Sequence, residues 1–260
     1  MQRRYQVLLE DKTAIVYGAA GSIGSSVARA YAREGARVHL AGRTAATLEQ
    51  VAQTIRTSGG IAHTAPLDVL DRAAVERHAQ HVADESGGID VCFNATSNDD
   101  IQGRSLLDLS VGEFLQPVIK SLTAHVTITA AVAAHMARRG GGAVLVMGGG
   151  REAIPRLGGA HVAWAALAGL CRQLAADLGP QGIRVVWLLS PGSPVADSDH
   201  GPAEPSEVPS DGASHLTRGL IPRYQPSLTE VSDIATFLAS DSARTITASE
   251  INLTGGVVID

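Results

Sequence analysis

Thr13-Ala14-Ile15-Val16-Tyr17-Gly18-Ala19-Ala20-Gly21-Ser22-Ile23-Gly24 is the stretch that decides the fold. Thr13–Tyr17 reads as a strand, and a helical pattern runs from Ile23 to about Glu34. The glycines between them permit a tight turn. They also let backbone N–H groups approach a pyrophosphate at the N-terminus of the next helix. Such a turn can simply join strand to helix. Here it lies inside the first strand–helix–strand unit, where a dinucleotide site is built. Gly18, Gly21, Ser22, Ile23 and Gly24 are the expected cradle.

The same alternation continues outward. Strand patterns at Arg37–Ala41, Ile61–Ala65, Val91–Phe93, Ala143–Met147, Arg184–Leu189 and Glu250–Leu253 are separated by helical ones. These cover Ala45–Thr57, Ala73–Glu85, about Val111–Arg138, about Gly159–Asp177 and Glu230–Ala239. Regular β–α alternation implies right-handed crossovers and an α/β Rossmann fold, a doubly wound parallel sheet of about seven strands. Neither a repeat nor a second domain is evident, so residues 1–260 are read as one domain. Ser193–Ser214, rich in Pro, Ser, Gly and acids, breaks the pattern within a variable stretch at 193–225. It follows a strand carboxyl end and reads equally as a lid over a ligand or as a disordered insertion.

Composition excludes several function classes. Apolar residues make up 45% and aromatics 3%, so the core is built from small aliphatic side chains. The net charge of −5 comes without a block of like charges, which leaves no footprint for nucleic acid or an anionic membrane. The two cysteines, Cys92 and Cys171, form no C-x-x-C pair and read as buried thiols in a reducing compartment. The start has no signal-peptide core, and no apolar run reaches ~18 residues. A soluble, cytoplasmic protein is expected, with a small-molecule substrate and no membrane or nucleic-acid partner.

The second strand pattern ends in Gly42-Arg43-Thr44. A free ribose 2′-hydroxyl is usually met by an acid here. Arg43 instead suits a 2′-phosphate, which favours NADP(H) over NAD(H); its bland reading is a solvated surface charge. Asp68, followed by Val69, can accept from the adenine amine or cap a helix ahead of Ala73.

The chain resembles the short-chain dehydrogenase/reductase family over nearly its whole length. Besides the glycine turn, Asp90–Ala95, with Asn94, is similar to the family's fourth strand and Asn-Ala-Gly loop. Ala165–Leu170 with Leu174–Gly179 resembles its catalytic helix, and Gly182–Val185 with Pro191-Gly192 its sixth strand and the turn beyond. Phe237–Asp241 and Asn252–Gly256 resemble its carboxyl-terminal signature. The resemblance implies NAD(P)(H) binding, a single-domain Rossmann fold and assembly as a homodimer or homotetramer. It also implies a Ser, Tyr, Lys and Asn catalytic set. In that set the Tyr moves the substrate proton, and the Lys lowers its pKa and holds the nicotinamide ribose. The Ser polarises the carbonyl, and the Asn orders a water relay.

This chain departs from that pattern. Counting back from Ala165-Ala166-Leu167 puts Ala160 at the Tyr position and Trp164 at the Lys position. Gly148-Gly149-Gly150 follows the fifth strand where the Ser is expected, and Ser121 falls at the Asn position. No Ser, Tyr, Lys or Asn occurs in residues 122–189, so a shifted alignment does not restore the set. Losing general acid catalysis there costs on the order of 10²–10⁴ in rate.

Candidate replacements are His161, Arg151, Glu152 and Ser121. One helical step of about 100° turns His161 away from the Tyr direction. Arg151 and Glu152 read equally as a loop salt bridge, and Ser121 with His125 as interface packing. Asp99 and Asp100 read as solvated turn residues, Lys120 as a surface or interface lysine, and Trp164 as a packing residue. His63, His78, His81 and His135 show no metal-ligand spacing. Three readings follow. The first is an NADPH-dependent reductase of C=N or conjugated C=C bonds. The second is a non-redox cyclase, dehydratase or isomerase, and the third is a catalytically silent partner subunit.

Overall fold

A computed structural model of the chain describes residues 7–151, 153–190 and 226–256. Strand β1 (Thr13–Tyr17) is buried throughout, because helices cover the sheet on both faces. It is followed by α1 (Ser22–Arg33), β2 (Arg37–Gly42), α2 (Ala45–Thr57), β3 (Ile61–Pro66) and α3 (Arg72–Ser86). Then come β4 (Val91–Asn94), α4 (Val111–Arg138), β5 (Gly142–Met147), α5 (Ala160–Leu178), β6 (Ile183–Leu189), α6 (Leu228–Ala239) and β7 (Ser249–Asn252).

The strands form one sheet in the order β3-β2-β1-β4-β5-β6-β7, and every pairing is parallel. The doubly wound sheet expected from the β–α alternation is present. Side chains alternate across it. Val16, Leu40, Phe93, Leu145 and Leu188 join the core beneath α1, α2 and α6. Ile15, Tyr17, Cys92, Val144 and Trp187 join the core beneath α3, α4 and α5. Strand order reverses between β1 and β4, and Tyr17 pairs with both Ala41 and Asn94. Their carboxyl ends are therefore level, and open a crevice at the switch point.

Caps set the helix ends. Ser227 and Glu230 form a reciprocal capping box, so α6 starts at Leu228, two residues before the sequence pattern suggested. The Asp71 side chain accepts from the Ala74 N–H and opens α3 at Arg72. Asp68 is therefore not the cap of that helix; its carboxylate accepts from the Leu70 N–H at 3.0 Å.

Although the sequence shows no long unbroken apolar run, α4 reaches a mean hydropathy of 1.3 over an 18-residue window. It packs against α3, α5, β4, β5 and β6. Its buried face includes Ser121, His125, Thr129 and His135, so α4 is a core helix of this sheet.

Candidate functional site: a nucleotide cleft and a filled strand end

The glycine turn is built by close approach. Gly18 has φ +77, and a Cβ there would run into the Ala95 carbonyl. A Cβ on Gly24 would strike the Gly18 carbonyl. Strand, turn and helix therefore meet backbone to backbone. The N-cap of α1 is Gly21, which offers no side-chain cap, and the first turn carries no acid. Ser22 and Ile23 open this helix. Its leading N–H groups and positive dipole end are available to an anion.

A cavity of about 460 Å³ lies against this turn. Gly18, Gly21, Arg43, Asp68 and Val69 all line it, so the structure brings five of the sequence-derived cofactor residues together, while Ser22, Ile23, Gly24 and Asn94 do not line it. Arg43 is exposed and makes no ion pair among the described residues. The volume falls within the ~300–1,000 Å³ typical of small-molecule sites. A cradle that a Cβ would fill, uncapped helix N–H groups and an unmatched guanidinium fit a phosphorylated dinucleotide.

Lys120 also lines the cavity, contrary to its reading as a surface or interface residue. The reason is helical phase: Gln116 and Lys120 lie one turn apart on α4 and both face the cleft. Lys120 is ion-paired with Asp99, whose φ of +54 folds its loop back toward α4. Asp99 is exposed in a turn closed by Ser97, as expected, and also pairs with Lys120 at the cleft. Burial holds the Lys120 ammonium below the ordinary lysine pKa, Arg43 adds repulsion, and Asp68 opposes both. No sequence spacing announces the Lys120–Asp99 pair, since its members are 21 residues apart.

Asn94 ends β4 and is buried. Its Oδ1 accepts from the Thr96 N–H at 3.1 Å and the Thr96 hydroxyl at 2.8 Å, fixing the loop, while its Nδ2 has no partner. Asn94 shapes the cleft through that loop rather than by lining it.

The ends of β5 and α5 are built differently. Ala160 is the first residue of α5 and is completely buried. A Cβ on neighbouring Gly159 would meet the Phe114 carbonyl and the Pro117 ring of α4, so the two helices touch there and fill the space. The Trp164 indole lies directly on Gly149, so close that a Cβ at that position would overlap the ring unless the indole shifted. Ser121 is buried in α4, and its carbonyl accepts the Nδ1–H of His125 at 2.7 Å. Burial pushes the His125 imidazole down to about 4, against the opposing effect of that bond.

Arg151 and His161 lie on the far side of Trp164, around a second cavity of about 230 Å³. Arg151 Nε pairs with Glu250 Oε1 of β7 at 2.5 Å. Glu250 Oε2 accepts from Trp187 Nε1 at 2.6 Å, and the carboxylate is 8% exposed. The salt bridge open to Arg151 from sequence is thus made with Glu250. Glu152, Pro191, Gly192 and the 193–225 segment lie outside the described residues. Glu250 and Trp187 were missed from sequence, and the signal that finds them is their direct pairing across β6 and β7.

A parallel sheet with a glycine-built, cation-bearing cleft at its switch point defines a nucleotide-binding α/β protein. A family model described as Enoyl-(Acyl carrier protein) reductase matches residues 18–258. The chain is 30% identical over 257 residues to "Uncharacterized oxidoreductase YxbG" of Bacillus subtilis (strain 168), covering 96% of this chain and 92% of that one. Among solved structures, a short-chain type dehydrogenase/reductase from Mycobacterium ulcerans aligns with a TM-score of 0.85 and 23% identity, over 96% of this chain and 90% of that one. A short chain dehydrogenase from Burkholderia cenocepacia J2315 in complex with NADP aligns with a TM-score of 0.80 and 24% identity, over 96% and 98%. The chain belongs to the short-chain dehydrogenase/reductase family of oxidoreductases.

Proposed function

We propose that this protein is an NADP(H)-dependent reductase acting on a small organic substrate with a C=N or conjugated C=C bond. The observation that carries the reading is the cleft itself: an uncapped α1 N-terminus faces the same cavity as the unpaired Arg43 guanidinium. The glycine turn would hold the pyrophosphate, Arg43 the 2′-phosphate, and Asp68 the adenine amine. Lys120, paired with Asp99, lines the same cleft beside Arg43. A fold relative from Burkholderia cenocepacia J2315 is in complex with NADP, which supports the choice of NADP(H) as cofactor.

When bound, the nicotinamide supplies a hydride. The chain binds and orients the cofactor through the residues of the cleft. Ala160 cannot deliver a proton, so the substrate's own acidity or solvent supplies it. A conjugated C=C bond suits that arrangement, because hydride addition at the β-carbon leaves a stabilised anion that water protonates. The family description, a reductase of enoyl groups, is in keeping with this class.

Titration of NADPH and NADH against the protein tests the reading. NADPH is expected to bind, and Arg43→Ala to weaken it about tenfold or more with little change for NADH. Equal losses for the two cofactors, or no binding of either, overturn the assignment. A second reading, a non-redox enzyme on this scaffold, is favoured by the packing of Trp164 on Gly149, which fills the end of β5. NADPH binding without oxidation across an imine, enone and carbonyl panel would select it. Failure of cofactor and small molecules alike would select a silent partner subunit. Exposed Ile119, Val126 and Val162 on α4 and α5 support assembly as a homodimer or homotetramer.

A further inference from the structure

The 230 Å³ cavity between α5 and the edge strand β7 has features that cofactor binding does not use. Three independent observations converge on it. First, Arg151 and Glu250 neutralise one another, but Arg172 makes no ion pair among the described residues. Its guanidinium is held over the Trp187 ring, 5.2 Å from the centroid, at the cavity wall. The cavity therefore carries one unmatched positive charge in a fixed position. Second, His161 Nδ1 is buried and has no hydrogen-bond partner. A buried polar nitrogen without a partner is costly, and a ligand would satisfy it. Third, the wall also carries the Trp164 indole with the apolar Ala165, Leu167, Ala168 and Leu189.

We infer that this cavity is a binding site for a small planar carboxylic acid. Its carboxylate would be taken by Arg172 and His161, and its ring or conjugated face would lie against Trp164. The geometry of a guanidinium suits a carboxylate, which it can meet with two parallel hydrogen bonds. An indole suits a flat, unsaturated face. A cation is disfavoured: Arg151 ion-pairs with the Glu250 carboxylate, whose Oε2 accepts from Trp187 while its Oε1 makes no hydrogen bond. The volume, below the ~300–1,000 Å³ of drug-sized sites, limits the ligand to about one ring. The inference does not rest on NADP(H) binding, since the two cavities share no lining residue.

The chain offers its own reporter. It has two tryptophans, Trp164 and Trp187, and both line this cavity, so indole emission reads it directly. Sodium benzoate should change that emission saturably. Benzamide, which keeps the ring and loses the charge, should bind at least tenfold more weakly. Cyclohexanecarboxylate, which keeps the charge and loses planarity, should also bind more weakly. Arg172 is exposed, so Arg172→Gln should leave the fold intact by circular dichroism while lowering benzoate affinity about tenfold. His161→Ala should lower it severalfold. No saturable response to benzoate overturns the inference, as does equal binding of benzoate and benzamide or an Arg172→Gln variant with unchanged affinity. Benzoate titration without cofactor, set beside NADPH titration without benzoate, keeps the two outcomes separate: either can fail while the other holds.

Discussion

The carboxyl edge of one sheet carries two constructions. Beside β1 and β4 the chain approaches itself through glycines, leaves helix N–H groups uncapped and places Arg43 and Lys120 around an open cleft. Beside β5, helix contact buries Ala160, and Trp164 covers Gly149. The first end is made of backbone donors and charge; at the second, Ala160 and Trp164 pack against their neighbours, and the charges stand around a smaller cavity. The difference teaches that the glycine turn of β1 and α1 and the packed start of α5 are built independently in this fold. The cradle depends on backbone geometry fixed by β1 and α1, and that geometry is indifferent to which side chains occupy α5.

The largest test of the comparison is Gly18→Val. A β-branched residue at φ +77, with its Cβ driven into the Ala95 carbonyl, should cost about 4 kcal/mol or prevent folding. Urea unfolding measures it. Near-normal stability would show that the turn is not constrained by close approach.

Acid should reveal what the two ends share, which is buried neutral imidazole. Burial pushes His39 down to about 3 and His78 to about 4 on the nucleotide side, and His125 to about 4 on α4. Neighbouring imidazoles add to the first two shifts, His63 at His39 and His81 at His78. Unfolded histidines take up protons near 6.5 while these folded ones do not. The unfolded state therefore binds more protons between about pH 6.5 and 4, and stability falls as pH falls through that window. Each such histidine contributes a slope of about 1.4 kcal/mol per pH unit. His125→Gln should flatten the measured slope by that amount, and an unchanged slope would mean that His125 protonates freely in the folded protein.

The smallest effect sharpens the comparison at its other end. Gly149→Ala should destabilise the protein by about 1 kcal/mol, because the new methyl meets the Trp164 indole. In a Trp164→Ala background the same change should be nearly neutral, giving a coupling of similar size in a double-mutant cycle. Additive losses would show that the indole is not seated on Gly149.

The β1–turn–α1 unit was legible because apolar runs and glycine spacing are local signals. Helix α4 was legible over its full span, Val111–Arg138, because a capping box opens it and a basic residue, Arg138, closes it. The position of Arg43 at the cleft was legible because it follows a strand that ends at the ligand edge. Lys120 was not. Its meaning depends on the rotational phase of α4 against the sheet and on Asp99 folding back to meet it. Asp68 was ambiguous between ligand and cap until Asp71 proved to be the cap.

The sequence alone determined the sheet, the cradle and the identities at positions 160 and 164, because those rest on local periodicity, chirality and residue chemistry. Only the tertiary structure decided what surrounds those positions. Trp187 reaches Glu250 across 63 residues, and Arg172 reaches Trp187 from a separate helix. Strand register and helix docking set such meetings, and both are properties of the packed whole, absent from any window of the chain.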